Sequence, residues 1–276
     1  MKIKKAIIAT AGWGTRRLPI TKVIEKNMLP IGDRPIIDYV VEDCVKAGIE
    51  DIYFVISENL NESQIRAYYS KNQKLEDYLV RYGKESKIKL IDNQHEGVKY
   101  HFVVQPEGRY GTAIPVAIAV KEFGIEEPVA VAMGDAFFYN MDGSSEIANM
   151  VKIAEENESS AILGLAVDKS ELSKYGILDV SSENELRGIV EKPKIEDAPS
   201  DMINSAYYVM DGELLTEVCA FVDGNELNPD EEYYITDPIT DYVVGGKKMK
   251  VVRSKGEYLD GGSLEGWLHA NKVVCG

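Results

Sequence analysis

Two glycines, a threonine and an arginine crowd the first loop of this chain, in the order Ala11-Gly12-Trp13-Gly14-Thr15-Arg16, and Lys26-Asn27-Met28-Leu29-Pro30 follows close behind. Glycines on a turn at a strand's end let backbone N–H groups wrap around phosphate oxygens. Arg16 and Lys26 supply the positive charge that phosphates need. The pattern points to a chain that grips a nucleoside triphosphate with its main chain. Two other phosphate motifs are excluded. A P-loop needs Gly-x4-Gly-Lys-Ser/Thr, and no stretch has that spacing. A dinucleotide fingerprint needs a third glycine for close helix–strand packing, and Arg17 stands in its place. A bare Gly-x-Gly is also an ordinary turn; Thr15, Arg16 and Lys26 carry the reading beyond that.

Further carboxylates and charges sit where chemistry is feasible. Asp135 follows an apolar run in Met133-Gly134-Asp135, and Asp260 lies in Tyr258-Leu259-Asp260-Gly261-Gly262. By local preference each is a turn residue. Each is also a carboxylate of the kind Mg²⁺ takes, one or two at a time, beside phosphate oxygens and water. Glu191-Lys192-Pro193 places opposite charges on opposite sides of a strand end; alone, that is a solvated hairpin end. The three histidines (His95, His101, His269) show no catalytic spacing, and the three cysteines (Cys44, Cys219, Cys275) form neither a metal spacing nor a disulfide framework.

The elements that must position these residues alternate in type. Residues 5–10 read as a short buried strand bounded by the glycine loop. Residues 35–46 read as an amphipathic helix, with Ile36, Val40, Cys44 and Ile37, Val41, Val45 in two adjacent rows and Gly48 at its end. Strands are expected at 51–57, 100–104 and 128–133, and helices at 61–82, broken near Asn72, and at 112–121. This order predicts an α/β fold, a parallel sheet with crossover helices. The Gly12 loop, Gln105 and Asp135 then all fall at the C-terminal ends of its strands, where such sheets bind ligands. Further strands are expected at 161–167, 205–210 and 248–252, a hairpin from 176–180 and 186–190, and helices at 235–244 and 263–274, the last capped by Ser263.

Composition sets the remaining bounds. The chain has 276 residues, of which 45% are apolar, enough for a core without covalent staples. A net charge of −15 argues against nucleic acid or an anionic membrane as partner. A polyanionic substrate would therefore need a local basic site, which Arg16, Arg17, Lys22 and Lys26 offer, and a divalent cation. No apolar stretch approaches the length of a membrane span, and the run after Lys4-Lys5 is too short for a signal peptide. A cytoplasmic protein is expected.

Gly12-x-Gly14-Thr15-Arg16-x-x-Pro19, then Lys22 and Lys26-x-Met28-Leu29-Pro30, resembles the signature of the sugar-1-phosphate nucleotidylyltransferases. Later segments recur in that family's order: 105–113, Gly134-Asp135, Tyr175-Gly176, Val190-Glu191-Lys192-Pro193, 232–237 and Tyr258-Leu259-Asp260. The likeness spans nearly the whole chain and is nearest to the branch acting on UTP and glucose-1-phosphate.

The resemblance implies a Rossmann-like, mostly parallel sheet flanked by helices, with a small α+β sugar-binding portion. Residues 1–276 would form one domain, with a nucleotide-binding half (1–160) and a half (161–276) for the sugar and the C-terminal metal aspartate. It implies transfer of a uridylyl group to a sugar-1-phosphate, giving a nucleotide sugar and pyrophosphate. Arg16 and Lys26 would be catalytic. Ala11, Gly12, Gly14, Thr15, Gln105, Gly111 and Gly134 would bind nucleotide. Gly176, Glu191 and Lys192 would bind the sugar phosphate, with Gly176 letting backbone approach the sugar. Asp135 and Asp260 would hold Mg²⁺. The likeness departs at Arg17 (apolar in relatives), Tyr110 and Ala206 (glycine) and Tyr234 (glutamine), so dTTP, CTP or another sugar-1-phosphate stays open. A non-catalytic nucleotide-sugar sensor would show a broken phosphate or metal set, and here the set is complete. A homo-oligomer also stays open, since no segment declares an interface.

Overall fold

The computed structural model describes residues 1–57, 63–92, 95–228 and 231–276. In chain order the elements are β1 (Lys5–Ala9), β2 (Pro30–Ile31), β3 (Arg34–Pro35), α1 (Ile36–Lys46), β4 (Asp51–Ser57), α2 (Gln64–Tyr68), α3 (Gln73–Arg81), β5 (Lys99–Gln105), α4 (Ala113–Phe123), β6 (Val129–Met133) and β7 (Ala136–Tyr139). They continue with α5 (Glu146–Asn157), β8 (Ser160–Ala166), β9 (Gly176–Val180), β10 (Leu186–Glu191), β11 (Met202–Met210), α6 (Gly212–Gly224), α7 (Thr236–Val244), β12 (Met249–Arg253), β13 (Glu257–Asp260) and α8 (Leu264–Cys275).

The centre is the parallel array β6-β1-β4-β5, in register from Lys5 opposite Val129 and Asp51 to Ser57 opposite Gln105. Beyond β6 the sheet continues antiparallel through β11 to β9 and β10, with β8 also on β11 and β12 parallel to β8. Both faces are covered. On β1, Ala6 and Ile8 pack with Ile36, Ile37, Val40, Val41 and Cys44 of α1, while Ile7 packs with Ala113, Ile114, Val116 and Ala117 of α4. A strand apolar on both sides is what a two-faced parallel sheet requires.

The structure departs from the sequence expectation in identifiable places. The helix expected over 61–82 starts in residues outside those described. What is described is two helices, split where the Asn72 side chain accepts a hydrogen bond from Leu75 N at 3.1 Å and starts α3. The strand expected from 205 begins at Met202. Elements α5, α6, β7 and β13 are additional to those expected from the sequence. Strands β7 and β13 form a separate antiparallel ribbon.

Candidate active site

The last residues of all four parallel strands, Ala9, Ser57, Gln105 and Met133, line one cavity of about 680 Å³. β1 lies between β4, the next strand of the sheet in sequence, and β6, where the strand order reverses. This is the crevice at which open α/β sheets bind ligands.

The chain leaves β1 into three single-turn 3₁₀ helices, Thr15–Arg17, Ile20–Lys22 and Lys26–Met28. Gly14 makes the first turn, with φ of 62°, and its carbonyl accepts hydrogen bonds from Arg17 N and Thr21 Oγ1, each at 2.8 Å. A side chain in that left-handed conformation would be strained. Lys26 reaches back beneath the loop, so a β-carbon on Gly12 would lie 3.3 Å from its Nζ. The segment is anchored by Glu25, whose carboxylate accepts from Gln64 N (3.0 Å) and Ile65 N (3.4 Å) at the start of α2.

Lys26 Nζ donates to Asp135 Oδ2 at 2.7 Å, with the two side chains 19% and 21% exposed. Burial works to raise the Asp135 carboxyl. The charge and hydrogen bond of Lys26, with the Arg16 guanidinium, outweigh it and hold the group below its ordinary value. The β7–β13 ribbon then delivers Asp260. It pairs with Ala136, next to Asp135, and Gly261 N donates to the Asp135 carbonyl at 3.1 Å. Asp260 Oδ1 accepts from Gly262 N at 2.7 Å. A β-carbon on Gly262 would lie 3.1 Å from Arg16 Nη2, so the guanidinium rests on this turn. Burial, then the Asp135 and Asp260 carboxylates, push the Tyr258 phenol up.

Two carboxylates and two cations, from the beginning, the middle and the end of the chain, thus meet beside the cavity. Among the described residues no group of three or more His, Cys, Asp or Glu side chains could hold a metal by itself. A cation between Asp135 and Asp260 would draw its remaining ligands from phosphate and water. That donor set suits Mg²⁺.

On the far wall, Gln105 Nε2 donates to the Arg109 carbonyl at 3.4 Å, while its Oε1 is buried without a hydrogen-bond partner among the described residues. Tyr110 stands at the mouth, 42% exposed. Gly111 has φ of 125°, and a β-carbon there would overlap the Tyr233 backbone. Tyr233 N donates to the Tyr110 carbonyl at 3.0 Å, and Ala113 N to the Tyr233 carbonyl at 2.9 Å. The demand for glycine at Gly111 therefore comes from the 232–237 segment, which contributes Glu232 to the cavity. Ala11, Gly12, Gly14, Thr15, Lys26 and Asp135 line the cavity too, whereas Gly134 does not. Gly134 is required by packing, because a β-carbon would meet Ile37 Cδ1 and Thr10 Cγ2 at 2.9 Å.

Gly176, Glu191 and Lys192 lie outside this lining, on the β9–β10 hairpin, where Gly176 pairs with Glu191. The space beside Gly176 is filled by the Glu191 carboxylate, whose Oε1 would be 2.7 Å from a β-carbon. Lys192 has φ of 43° and its N–H donates to the Tyr175 carbonyl at 3.0 Å. Burial, then the charges of Glu191 and Asp241, raise the Asp237 carboxyl. Asn204 Nδ2 donates to the Tyr208 hydroxyl at 2.8 Å, and Asn204 Oδ1 accepts from Ala206 N at 2.9 Å. Ala206 itself has φ of 61° in a bulge of β11. A glycine, which the family resemblance leads one to expect here, would fit that backbone; alanine bears it under strain.

The family model described as nucleotidyl transferase matches residues 5–275. The chain belongs to the nucleotidyl transferase family. It is 35% identical over 243 residues to a UTP–glucose-1-phosphate uridylyltransferase of Staphylococcus epidermidis, covering 86% of this chain and 81% of the relative. A UTP-bound UGPase from Acinetobacter baumannii superposes with a TM-score of 0.88 at 29% identity, covering 99% of this chain and 93% of that one. A UDP-glucose pyrophosphorylase complexed with UDP-glucose gives 0.82 at 28% identity, covering 99% and 98%.

Within this nucleotidyl transferase, Arg17 turns away from the cavity. It is 8% exposed, donates from Nη1 to the Ser263 carbonyl at 2.6 Å and lies over the Trp267 ring at 5.2 Å. Glu232 on the cavity wall, Asp237 beside Glu191 and Tyr258 beside Asp135 and Asp260 were not expected in these places from the sequence. All three had a signal, since each lies in a segment that the family resemblance picks out. Each histidine has an identified neighbour: His95 with Tyr100, His101 with Asp51 and His269 with Glu257. None lines the cavity.

Proposed function

We propose that this chain transfers a uridylyl group from UTP to glucose-1-phosphate, giving UDP-glucose and pyrophosphate. The observation that carries the reading is the Lys26–Asp135 ion pair at the edge of the strand-end cavity, with Asp260 and Arg16 alongside. The names of the relatives support the choice of base and sugar.

The attacking sugar phosphate is already an anion, so the reaction needs no general base. The difficulty is to bring two anions together and stabilise the charge that spreads over the transition state. The Gly12–Thr15 backbone and Arg16 hold the triphosphate. Lys26, on its short tether beside Asp135, meets the α-phosphate, where charge develops. Gln105 reads the edge of the base. Glu191 accepts from sugar hydroxyls and Lys192 meets the sugar's phosphate. Mg²⁺ held by Asp135 and Asp260 would supply charge neutralisation on the phosphate oxygens. Residues 1–160 form the nucleotide half and residues 161–276 the sugar half. Three free cysteines agree with a cytoplasmic setting, and among the described residues no helix is long and apolar enough to cross a membrane.

The test is pyrophosphate release with Mg²⁺ across UTP, dTTP, CTP, ATP and GTP against several sugar-1-phosphates. Release that needs both substrates and is fastest with UTP and glucose-1-phosphate is expected. A faster pair would move the specificity, and nucleotide-sugar binding without release would replace the enzyme by a sensor.

A further inference from the structure

Arg17 is a nearly buried cation that no carboxylate pairs with among the described residues. Burying such a group is costly unless its hydrogen bonds and contacts are well placed. Its partners are the Ser263 carbonyl and the Trp267 ring. Trp267 in turn donates from Nε1 to the Pro30 carbonyl at 2.7 Å, and from its backbone N–H to the Ser263 carbonyl at 3.1 Å. One contact point thus joins three segments. Arg17 immediately follows Arg16 on one 3₁₀ turn. Pro30 closes the segment that begins with Lys26. Ser263 follows Asp260-Gly261-Gly262, the turn on which the Arg16 guanidinium rests. Neither Arg17 nor Trp267 lines the cavity.

We infer that Arg17 and Trp267 form a positioning clamp that sets Arg16, Lys26 and Asp260 in mutual register for nucleotidyl transfer, an inference that rests on the reaction proposed above. The clamp holds the N-terminal phosphate loop to the N-terminus of α8, so the groups that come from opposite ends of the chain move as one. Misplacing reacting groups by about 1 Å costs up to roughly 100-fold in rate. Loosening the clamp is therefore expected in kcat and in the metal requirement, while the sugar hairpin is untouched.

The test compares the full-length wild type with Arg17→Met, Arg17→Lys and Trp267→Phe. Pyrophosphate release gives kcat, both KM values and the Mg²⁺ concentration for half-maximal rate. Backbone hydrogen exchange at residues 12–18 and 260–263 is followed without nucleotide. Arg17→Met is expected to lower kcat about tenfold or more, to raise the Mg²⁺ requirement, to leave KM for the sugar-1-phosphate unchanged and to speed exchange in both segments together. Arg17→Lys recovers part of kcat because it can still donate to Ser263. Trp267→Phe keeps a ring under Arg17 but loses the Pro30 bond, and lowers kcat through Lys26. A variant set that melts earlier yet keeps wild-type kcat, Mg²⁺ requirement and exchange overturns the clamp. If the wild type releases no pyrophosphate, the reaction assignment fails, and the exchange measurement still decides the clamp: coupled loosening supports it and independent or absent loosening overturns it.

Discussion

Replacing Lys26 by methionine should separate two roles that the structure joins in one side chain. In the resting protein the ammonium neutralises Asp135 at 2.7 Å, with both partners about four-fifths covered. Exposed ion pairs are worth up to about 1 kcal/mol, and breaking a fully buried one costs about 3–5 kcal/mol. Partial exposure places this pair between, at about 1–3 kcal/mol. For a chain of this size that is a fall in Tm of roughly 2–10 °C. The catalytic loss is larger. A positioned donor facing developing charge contributes about 2.7–4 kcal/mol, or roughly 100- to 1,000-fold in kcat. Thermal melting and saturating pyrophosphate-release kinetics on the same preparation separate the two effects. The predicted result is a folded protein whose kcat falls at least about 100-fold. A folded Lys26→Met that keeps kcat within about threefold would refute the placement of Lys26 at the reacting phosphate, because a cation there contributes far more than that.

Other perturbations probe separate parts of the account. Gly176→Ala puts a methyl group 2.7 Å from Glu191 Oε1; the flexible carboxylate can give way, so stability should change little while KM for glucose-1-phosphate rises about tenfold, the loss of one charged hydrogen bond. Unchanged KM would remove Glu191 from sugar binding. Burial lifts the Asp43 carboxyl from its ordinary 3.8 to about 6. The folded chain thus binds this proton more tightly than the unfolded one, and the stability so conferred is complete below pH 3.8 and lost as pH rises through about 6. Asp43→Asn keeps an acceptor for Ile147 N and should raise Tm at pH 8, by at most ~3 kcal/mol of stability, with no gain at pH 4; an equal gain at both would contradict the burial argument. Ala206→Gly relieves a φ of 61°. It should leave stability equal or raise it by up to about 1 kcal/mol, whereas Ala206→Val should lower it. Denaturant melts compare the two.

The tight first loop was legible because its cause is local: Gly14 makes the turn, and Lys26, twelve residues on, folds back beneath it. The meeting of the Gly12 loop, Gln105 and Asp135 was legible because a parallel sheet places its strand ends on one edge. Asp260 was reachable only through resemblance. Strands β7 and β13 are four residues each, and their pairing spans half the chain, so no local pattern announces it. Glycine roles were legible as types but not as causes. Gly134 is demanded by Ile37 and Thr10, and the space beside Gly176 is taken up by Glu191, which are contacts across elements. Nothing in the local sequence separates Arg16 from Arg17; their fates differ because Ser263 and Trp267 come from the other end of the chain. Helix α5 was readable in principle. Ser145 caps it, accepting from Ala148 N at 2.8 Å, and Ile147, Met150, Val151 and Ala154 recur at helical spacing and are buried.

The central claim is direct attack of the sugar phosphate on the α-phosphorus at the Lys26–Asp135 site. Mass spectrometry of products formed from UTP and glucose-1-phosphate carrying heavy oxygen throughout its phosphate tests it most directly. The account predicts UDP-glucose that keeps all of the label, including the oxygen bridging the two phosphorus atoms, with pyrophosphate unlabelled. Loss of the bridging label, label in pyrophosphate, or UMP in place of UDP-glucose would contradict it.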